Sequence, residues 1–351
     1  MRAEGTYGPA RMEQAGNVAV LHLYGSHEEM GRQYGTLLRR PLSHLAALLR
    51  AAVPAKQRDQ LLTLARLREH TLPDGIRTEI RTAAEAAGIP YDCLVAVNVL
   101  PKVQCTALAA WGDATADGEM LVGRNAEYQS FGLAKCGTLL VVLHPDDGLP
   151  VAAISFIGLM GAYTGINSEG VAFGNMLAFN GRFTGVRSEG EAIQTAMRMV
   201  AHRSRSAEEM CRLLADVPAA IPVCVMAADR EEARVLEIDP GAHAERLGED
   251  GVLAVSNWLF DPELRSGGPP QCDRYDALMD AASRHRGRID VAIVEEALNA
   301  ARWEGLNLQA VVFEPAKMLM HLSANRVPAS AGPYATFDLR ELFETPPAST
   351  R

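Results

Sequence analysis

A cysteine at the start of a predicted strand is the residue of this chain best placed to do chemistry. About a hundred residues of mostly helical pattern come first, and Cys105 then opens an apolar stretch, 105–111, that predicts a strand. A thiol is a weak nucleophile until it loses its proton, so it needs a base or a lowered pKa. The nine histidines are scattered, and none forms a local motif with a cysteine. Since a lone cysteine in a strand is usually a small buried hydrophobic side chain, its neighbours must decide its role.

Two further motifs carry polar side chains at the ends of predicted strands. After a turn at 117–118, a second strand ends in Gly-Arg-Asn-Ala-Glu, which supplies Arg124 and Glu127. Later, Val-Ser-Asn-Trp-Leu-Phe at 255–260 supplies Asn257 and Trp258. A fixed side-chain amide is a suitable donor to the oxyanion of acyl transfer. By itself, the first motif also fits a surface hairpin in which Arg124 and Glu127 form a solvated ion pair. The second also fits an asparagine that only forms a turn.

The order and spacing of these motifs resemble a known family. Residues 25–35 (Gly-Ser-His-Glu-Glu-Met-Gly-Arg-Gln-Tyr-Gly) and 165–172 (Gly-Ile-Asn-Ser-Glu-Gly-Val-Ala) complete the set. Together they resemble the N-terminal nucleophile hydrolases, in the branch of the acyl-CoA:6-aminopenicillanate acyltransferase. The chain departs from the family pattern at two positions, with Gln104 where many relatives have glycine and Glu127 where they usually have aspartate.

The resemblance implies a self-processing enzyme. The chain would cut itself between Gln104 and Cys105 by an N-to-S acyl shift and hydrolysis, and the new α-amine of Cys105 would be the catalytic base. An α-amine titrates near ~8, close enough to neutral for this role. Arg124 would favour the thiolate, Glu127 would be the acid beside the nucleophile, and Asn257 would hold the oxyanion. The residues then expected to contact substrate are Asn175, Trp258 and Arg274, with a structural ion pair as the competing interpretation of Arg274.

The pattern of elements predicts an α+β fold. Runs of helices alternate with runs of short strands, which indicates layers rather than a parallel βαβ sheet. The family resemblance implies an αββα sandwich of two antiparallel sheets flanked by helices. Residues 1–104 would be a small α-rich segment, released as the α subunit on self-cleavage, and 105–351 the catalytic β subunit. Together they would form one domain.

Composition excludes several other classes of protein. A formal net charge of −9 argues against nucleic acid as a partner. The first 16 residues lack the apolar core of a signal peptide, and no apolar stretch reaches the roughly 18 residues of a membrane helix, so we expect a cytoplasmic protein. The six cysteines form no C-x-x-C pair, so neither a metal nor another cofactor is expected. The expected partner is a small-molecule substrate, with acyl-CoA as a candidate acyl donor.

Three alternatives stay open at this point. A hydrolase of lipidic amides, like the bile salt hydrolases or ceramidases, would share the nucleophile. An uncleaved, non-catalytic binding protein on the same fold is favoured by Gln104 and Glu127. A histidine-based cysteine protease lacks any local signature. If water accepts the acyl group from the enzyme, the protein is a hydrolase; if a bound amine accepts it, the protein is an acyltransferase. The residues do not decide between these two activities.

Overall fold

The computed structural model describes residues 4–99, 104–128, 137–182 and 186–348, so Cys136 lies outside the described residues. The helices are α1 His27–Leu37, α2 Arg39–Ala52, α3 Ala55–Arg68, α4 Asp74–Ala87, α5 Tyr91–Val99, α6 Ile193–Ala201, α7 Ala207–Ala215, α8 Asp273–Arg284, α9 Val291–Ala300 and α10 Leu339–Glu344. The strands are β1 Gly5–Tyr7, β2 Ala10–Ala15, β3 Val18–Gly25, β4 Gln104–Ala110, β5 Leu121–Glu127, β6 Thr138–Pro145, β7 Val151–Phe156, β8 Thr164–Asn167, β9 Ala172–Leu177, β10 Val223–Ala228, β11 Ala233–Asp239, β12 Ala242–Leu247, β13 Val252–Val255, β14 Asn307–Glu314, β15 Leu319–Ala324 and β16 Ala335–Asp338.

The strands form two sheets. One has ten strands in the order β1-β2-β3-β6-β7-β8-β9-β10-β11-β12, and the other has six in the order β13-β4-β5-β14-β15-β16. All described strand pairs are antiparallel except β3 with β6. That parallel pair departs from the expected all-antiparallel sheets. Two strands that are neighbours in a sheet can run parallel only if a long segment crosses from the end of one to the start of the other. Here α1–α5, β4 and β5 form that segment between β3 and β6.

Successive side chains along each strand point to opposite faces of its sheet, and this divides the apolar residues into three layers. In β3, Leu21 and Leu23 pack under α1–α7, whereas Val18 and Val20 face the six-stranded sheet. In β4, Leu108 faces α8 and α9 on the opposite outer surface. A side-chain period of two produces this division, because successive residues of a strand point to opposite faces. The predicted α+β class and the αββα sandwich are confirmed.

Close packing of α1 against α4 explains part of the motif at 25–35. Ser26 and Glu29 form the capping box that the sequence predicts at the start of α1. A Cβ on Gly31 would lie only 2.5 Å from the carbonyl oxygen of Glu79, so the two helices can approach this closely only with glycine there. Pro41 falls in the first turn of α2, where a missing N–H costs no intrahelical bond.

The first hundred residues are less purely helical than predicted. They contribute the three strands β1, β2 and β3 to one edge of the ten-stranded sheet. α10, also unpredicted, packs between the ends of the sheets, with Leu339 in the layer that the sheets share.

Candidate active site

Cys105 lies between the two sheets, at the second position of β4. Its side chain is completely buried in the layer that the sheets share. Its backbone N–H donates a hydrogen bond of 3.1 Å to Oδ1 of Asn257. Gln104 precedes it in the same strand and pairs with Glu127 of β5. The peptide nitrogen that would become the α-amine is therefore already held by a side chain 152 positions away in the chain.

Arg124 holds the sulfur atom. It is buried on β5 and crosses to the ten-stranded sheet, where Nη1 donates to Oγ1 of Thr164. Nη2 donates to Sγ of Cys105 at 2.8 Å and to the backbone oxygen of Asn175 at 2.7 Å. A Cβ on Gly174 would lie 2.7 Å from Nε of Arg124 and closer still to its Cδ, so this path for the side chain requires glycine.

Burial has the largest effect on the pKa of the Cys105 thiol. It raises the pKa of Cys105 to about 11, while the charge of Arg124 acts in the opposite direction and Glu127 adds to the rise. At neutral pH the thiol of the uncut chain therefore keeps its proton. A base next to the sulfur would be needed to remove it, which is the role that the resemblance gives to the α-amine.

Glu127, which is buried, and Arg274, which is partly buried, form an ion pair beside the nucleophile. Nη1 of Arg274 donates to Oε2 of Glu127, and the backbone N–H of Trp303 donates to Oε1. Burial raises the pKa of the Glu127 carboxyl above its ordinary value, although Arg274 and Trp303 oppose this. The guanidinium of Arg274 also lies over the Trp303 ring, 4.8 Å from its centroid.

Asn257 joins the ion pair to Cys105. Its Oδ1 accepts from the Cys105 N–H and from Nη2 of Arg274, the latter at 2.6 Å, and its Nδ2 donates to the backbone oxygen of Leu177. The amide nitrogen carries a second N–H, which is the donor that an oxyanion would use. Arg274 is the second residue of α8, a helix that packs against β13, the strand just before Asn257.

The other two predicted substrate contacts lie at the margin of this cluster. Asn175 is buried, and its side chain lines a small cavity beside Tyr163. Trp258 is half-buried next to Asn257, and its ring packs against that of Phe179 with centroids 5.6 Å apart. Phe179 donates its backbone N–H to the backbone carbonyl of Asn257 at 2.8 Å, which ties the segment after β9 to the segment that carries the predicted oxyanion donor.

The structure thus brings Cys105, Arg124, Glu127, Asn257 and Arg274 into one network of direct contacts. Their roles in catalysis remain predictions.

Sequence reasoning missed several residues of this site. Thr164 and Gly174 position Arg124, and Trp303 contacts Glu127 and Arg274. None of these three residues, Thr164, Gly174 and Trp303, lies in a motif with a chemical signature. Only the pairing of β8 with β9, and the packing of that sheet over β5, brings the first two to Arg124. The one available signal was the placement of Thr164 and Gly174 on either side of the motif at 165–172.

Within the described ranges, no cluster of three or more His, Cys, Asp or Glu side chains has the geometry of a metal site. None of the described helices combines the length and apolarity needed to cross a bilayer.

Comparison with known families matches the central part of the chain. Residues 114–267 match the family described as acyl-coenzyme A:6-aminopenicillanic acid acyl-transferase. This match confirms the resemblance to that family which the motifs indicated. It covers Arg124, Glu127, Asn175, Asn257 and Trp258, and it begins after Cys105 and ends before Arg274.

Individual relatives are distant. Protein dcd1B of Dictyostelium discoideum is 25% identical over 199 residues, which are 48% of this chain and 40% of that protein. The match therefore spans less than half the length of this curated relative. Among solved structures, the Caenorhabditis elegans ortholog of N-acylethanolamine-hydrolyzing acid amidase is 17% identical, with a TM-score of 0.48 over 60% of this chain and 93% of its own. Penicillin V acylase from Agrobacterium tumefaciens is 14% identical, with a TM-score of 0.49 over 68% and 87%.

Proposed function

We propose that this relative of the acyl-CoA:6-aminopenicillanate acyltransferases is a self-processing cysteine amide hydrolase or acyltransferase with Cys105 as its N-terminal nucleophile. The observation that carries the proposal is the pair of contacts at Cys105. Arg124 holds its sulfur at 2.8 Å, and Asn257 holds its nitrogen at 3.1 Å. These are the two atoms that an N-terminal cysteine uses, one as nucleophile and one as base.

Self-processing comes first in this mechanism. The Cys105 sulfur attacks the carbonyl carbon of Gln104, the C–N bond breaks, and the departing nitrogen takes the thiol proton and becomes the α-amine. Water then hydrolyses the thioester, which leaves a carboxylate on Gln104 and a free thiol on Cys105. Cutting the chain also opens the buried sulfur to substrate.

The same atoms then act on an external acyl donor. The α-amine removes the thiol proton, the sulfur attacks an amide or thioester carbonyl, and the second N–H of Asn257 and a backbone N–H hold the oxyanion. The α-amine returns the proton to the leaving group, and a thioester acyl-enzyme forms. Water or a bound amine resolves it. Arg274 and Glu127 orient Asn257 in this scheme, since Arg274 contacts both side chains.

The two fragments would stay together after cleavage. β3, from the first fragment, pairs with β6, from the second, over seven residue pairs. Helices of both fragments share the apolar layer on the outer face of the ten-stranded sheet. Separation would expose this layer to water, so packing alone can hold the fragments in one domain.

One observation favours the uncleaved binding protein as the second candidate. Cys105 is fully buried, and burial raises the pKa of its thiol to about 11, which describes an inert structural cysteine as well as a precursor.

An acyl-enzyme trap tests the enzymatic proposal. The purified protein is mixed with 4-nitrophenyl acetate, quenched in acid within seconds, and its mass is measured. We expect one acetyl group on Cys105, located by peptide mapping, and none at that position in Cys105→Ala. Acetyl groups confined to other residues in the wild type would contradict the proposal. Cys211, a buried cysteine outside the site, serves as the matched control through Cys211→Ala, which should keep the adduct.

A further inference from the structure

The turn between β7 and β8, residues 157–163, is held by a side chain of the first fragment. Asn98 is completely buried near the end of α5. Its Nδ2 donates to the carbonyl of Gly158 at 2.9 Å. Its Oδ1 accepts from the backbone N–H groups of Met160, at 2.8 Å, and Gly161, at 3.4 Å. One amide thus pairs three backbone groups of a buried turn, which would otherwise need other partners.

Two further residues of the first fragment hold the same turn. Tyr34 of α1 is buried, and its hydroxyl accepts from the backbone N–H of Gly158 at 2.8 Å. Glu79 of α4 acts through Arg198, with which it forms a buried ion pair. Nη1 of Arg198 donates to the carbonyl of Met160 at 2.6 Å. The turn therefore takes backbone partners from α1, from α5 and, through one ion pair, from α4.

The same turn leads directly to the guanidinium that holds the nucleophile. Thr164 follows the turn as the first of only four residues in β8, and its hydroxyl accepts from Nη1 of Arg124. Nη2 of Arg124 donates to the sulfur of Cys105 at 2.8 Å. Tyr163, the last residue of the turn, accepts the backbone N–H of Asn175 at 3.0 Å, and the carbonyl of Asn175 accepts from Nη2 of Arg124 at 2.7 Å. A displaced turn would therefore move both oxygen acceptors of this guanidinium.

We propose that Tyr34 and Asn98 are positioning residues for the nucleophile, so that the first fragment stays a necessary part of the active site after cleavage. The two side chains hold the turn, the turn holds Thr164, and Thr164 directs Arg124 toward the sulfur. A catalytic group keeps its geometry only when the residues behind it are themselves held by hydrogen bonds and packing. The role of the first fragment as a separate chain rests on the proposed function, whereas the control of the thiol by Tyr34 and Asn98 does not.

The test compares two tyrosine variants. Tyr34→Phe removes one hydroxyl and keeps the buried ring, and Tyr24→Phe is the matched control. The Tyr24 hydroxyl also joins the two fragments, but it donates to the carbonyl of Thr345, just after α10, at 2.8 Å. Alkylation of Cys105 by iodoacetamide at pH 8 is followed by peptide mapping. We expect Tyr34→Phe to react about three times more slowly than the wild type, since one neutral hydrogen bond contributes a factor of about two to ten. Tyr24→Phe should react at the wild-type rate.

The direction of the change separates positioning from a purely structural role. A turn that only became looser would expose the buried sulfur and speed its alkylation, whereas a displaced Arg124 leaves less thiolate and slows it. Asn98→Leu removes three contacts to the turn and should slow alkylation about tenfold, and Asn98→Asp, which keeps the acceptor for Met160 and Gly161, should recover part of the rate. An unchanged or faster reaction in Tyr34→Phe overturns the proposal. If Asn98→Leu does not fold, the two tyrosine variants decide alone.

The fragment masses of the same samples separate this inference from the proposed function. If every protein is uncut but Tyr34→Phe still slows alkylation, the positioning role stands and the proposed function fails. If the wild type is cut and Cys105 takes an acetyl group from 4-nitrophenyl acetate, Tyr34→Phe should lower the rate of that acetylation about threefold as well. If the wild type is cut and acetylated but the two tyrosine variants react alike, the positioning role fails and the proposed function stands.

Discussion

Replacing Gly174 by alanine should displace the guanidinium that holds the sulfur of Cys105. The added Cβ would lie 2.7 Å from Nε of Arg124 and closer still to its Cδ, and ordinary contact begins at 3.4 Å, so the side chain must shift by more than about 0.7 Å. Such a shift lengthens the 2.8 Å contact between Nη2 and Sγ. A hydrogen bond to a charged group contributes about 1.5–3 kcal/mol, so the thiolate should become about 10- to 100-fold scarcer at a given pH below its pKa.

The rate of alkylation measures this loss without any substrate. Wild type and Gly174→Ala are treated with iodoacetamide between pH 6 and pH 10, and modification of Cys105 is followed by peptide mapping. At each pH below the thiol pKa we expect Gly174→Ala to react about 10- to 100-fold more slowly, with the profile displaced to higher pH.

Two further variants make this prediction refutable. Gly5→Ala is the matched control, because a Cβ on this strand glycine would contact Leu37 at an ordinary 3.6 Å. Its profile should equal that of the wild type. Thr164→Val removes the acceptor of Nη1 and should produce a smaller displacement in the same direction. If Gly174→Ala folds normally and its profile matches the wild type, Arg124 does not control the thiol.

Three predictions concern stability and positioning. Burial lowers the pKa of His22 to about 3 and of His144 to about 4, below the ordinary 6.5, so the unfolded chain binds more protons as the pH falls. Urea unfolding should show stability falling by about 2 kcal/mol for each of these two histidines from pH 7 to 4.5, and by less in total in His144→Phe; a flat wild-type profile would refute this. Glu79→Leu leaves the buried guanidinium of Arg198 unpaired, so unfolding should cost about 3–5 kcal/mol less, whereas an unchanged midpoint would show that the pair is dispensable. Arg274→Lys cannot bridge two side chains with a planar fork, so kcat should fall about 10- to 100-fold with little change in KM; a change in KM alone would instead indicate substrate binding.

The sequence predicts the layers of this fold better than its edges. The capping box at Ser26, the helices before Cys105 and the strands after it follow from local patterns that the tertiary structure does not override. β1 was missed because Gly5–Tyr7 has only three residues, all of them on the exposed side, and so shows no alternation of buried and exposed positions. The parallel pairing of β3 with β6 could not be read from either strand, since register and direction depend on the chain between them.

In the candidate site, too, the contacts within one hairpin could be predicted from the sequence and the long-range contacts could not. Cys105 and Arg124 are predictable because β4 and β5 form a hairpin, in which pairing places both in one layer. For Arg274 the sequence left substrate contact and a structural ion pair open, and the structure places it between Glu127 and Asn257. Its partners are 147 and 17 positions away, and no local pattern encodes an ion pair of that separation.

The mass of the purified protein tests the central claim most directly. Wild type and Cys105→Ala are expressed and purified together, and their intact masses and N-terminal sequences are determined. The account predicts two wild-type fragments that copurify, the larger beginning at Cys105, and a single uncut chain for Cys105→Ala. A single chain that is uncut between Gln104 and Cys105 in both proteins would remove the α-amine base and contradict the account.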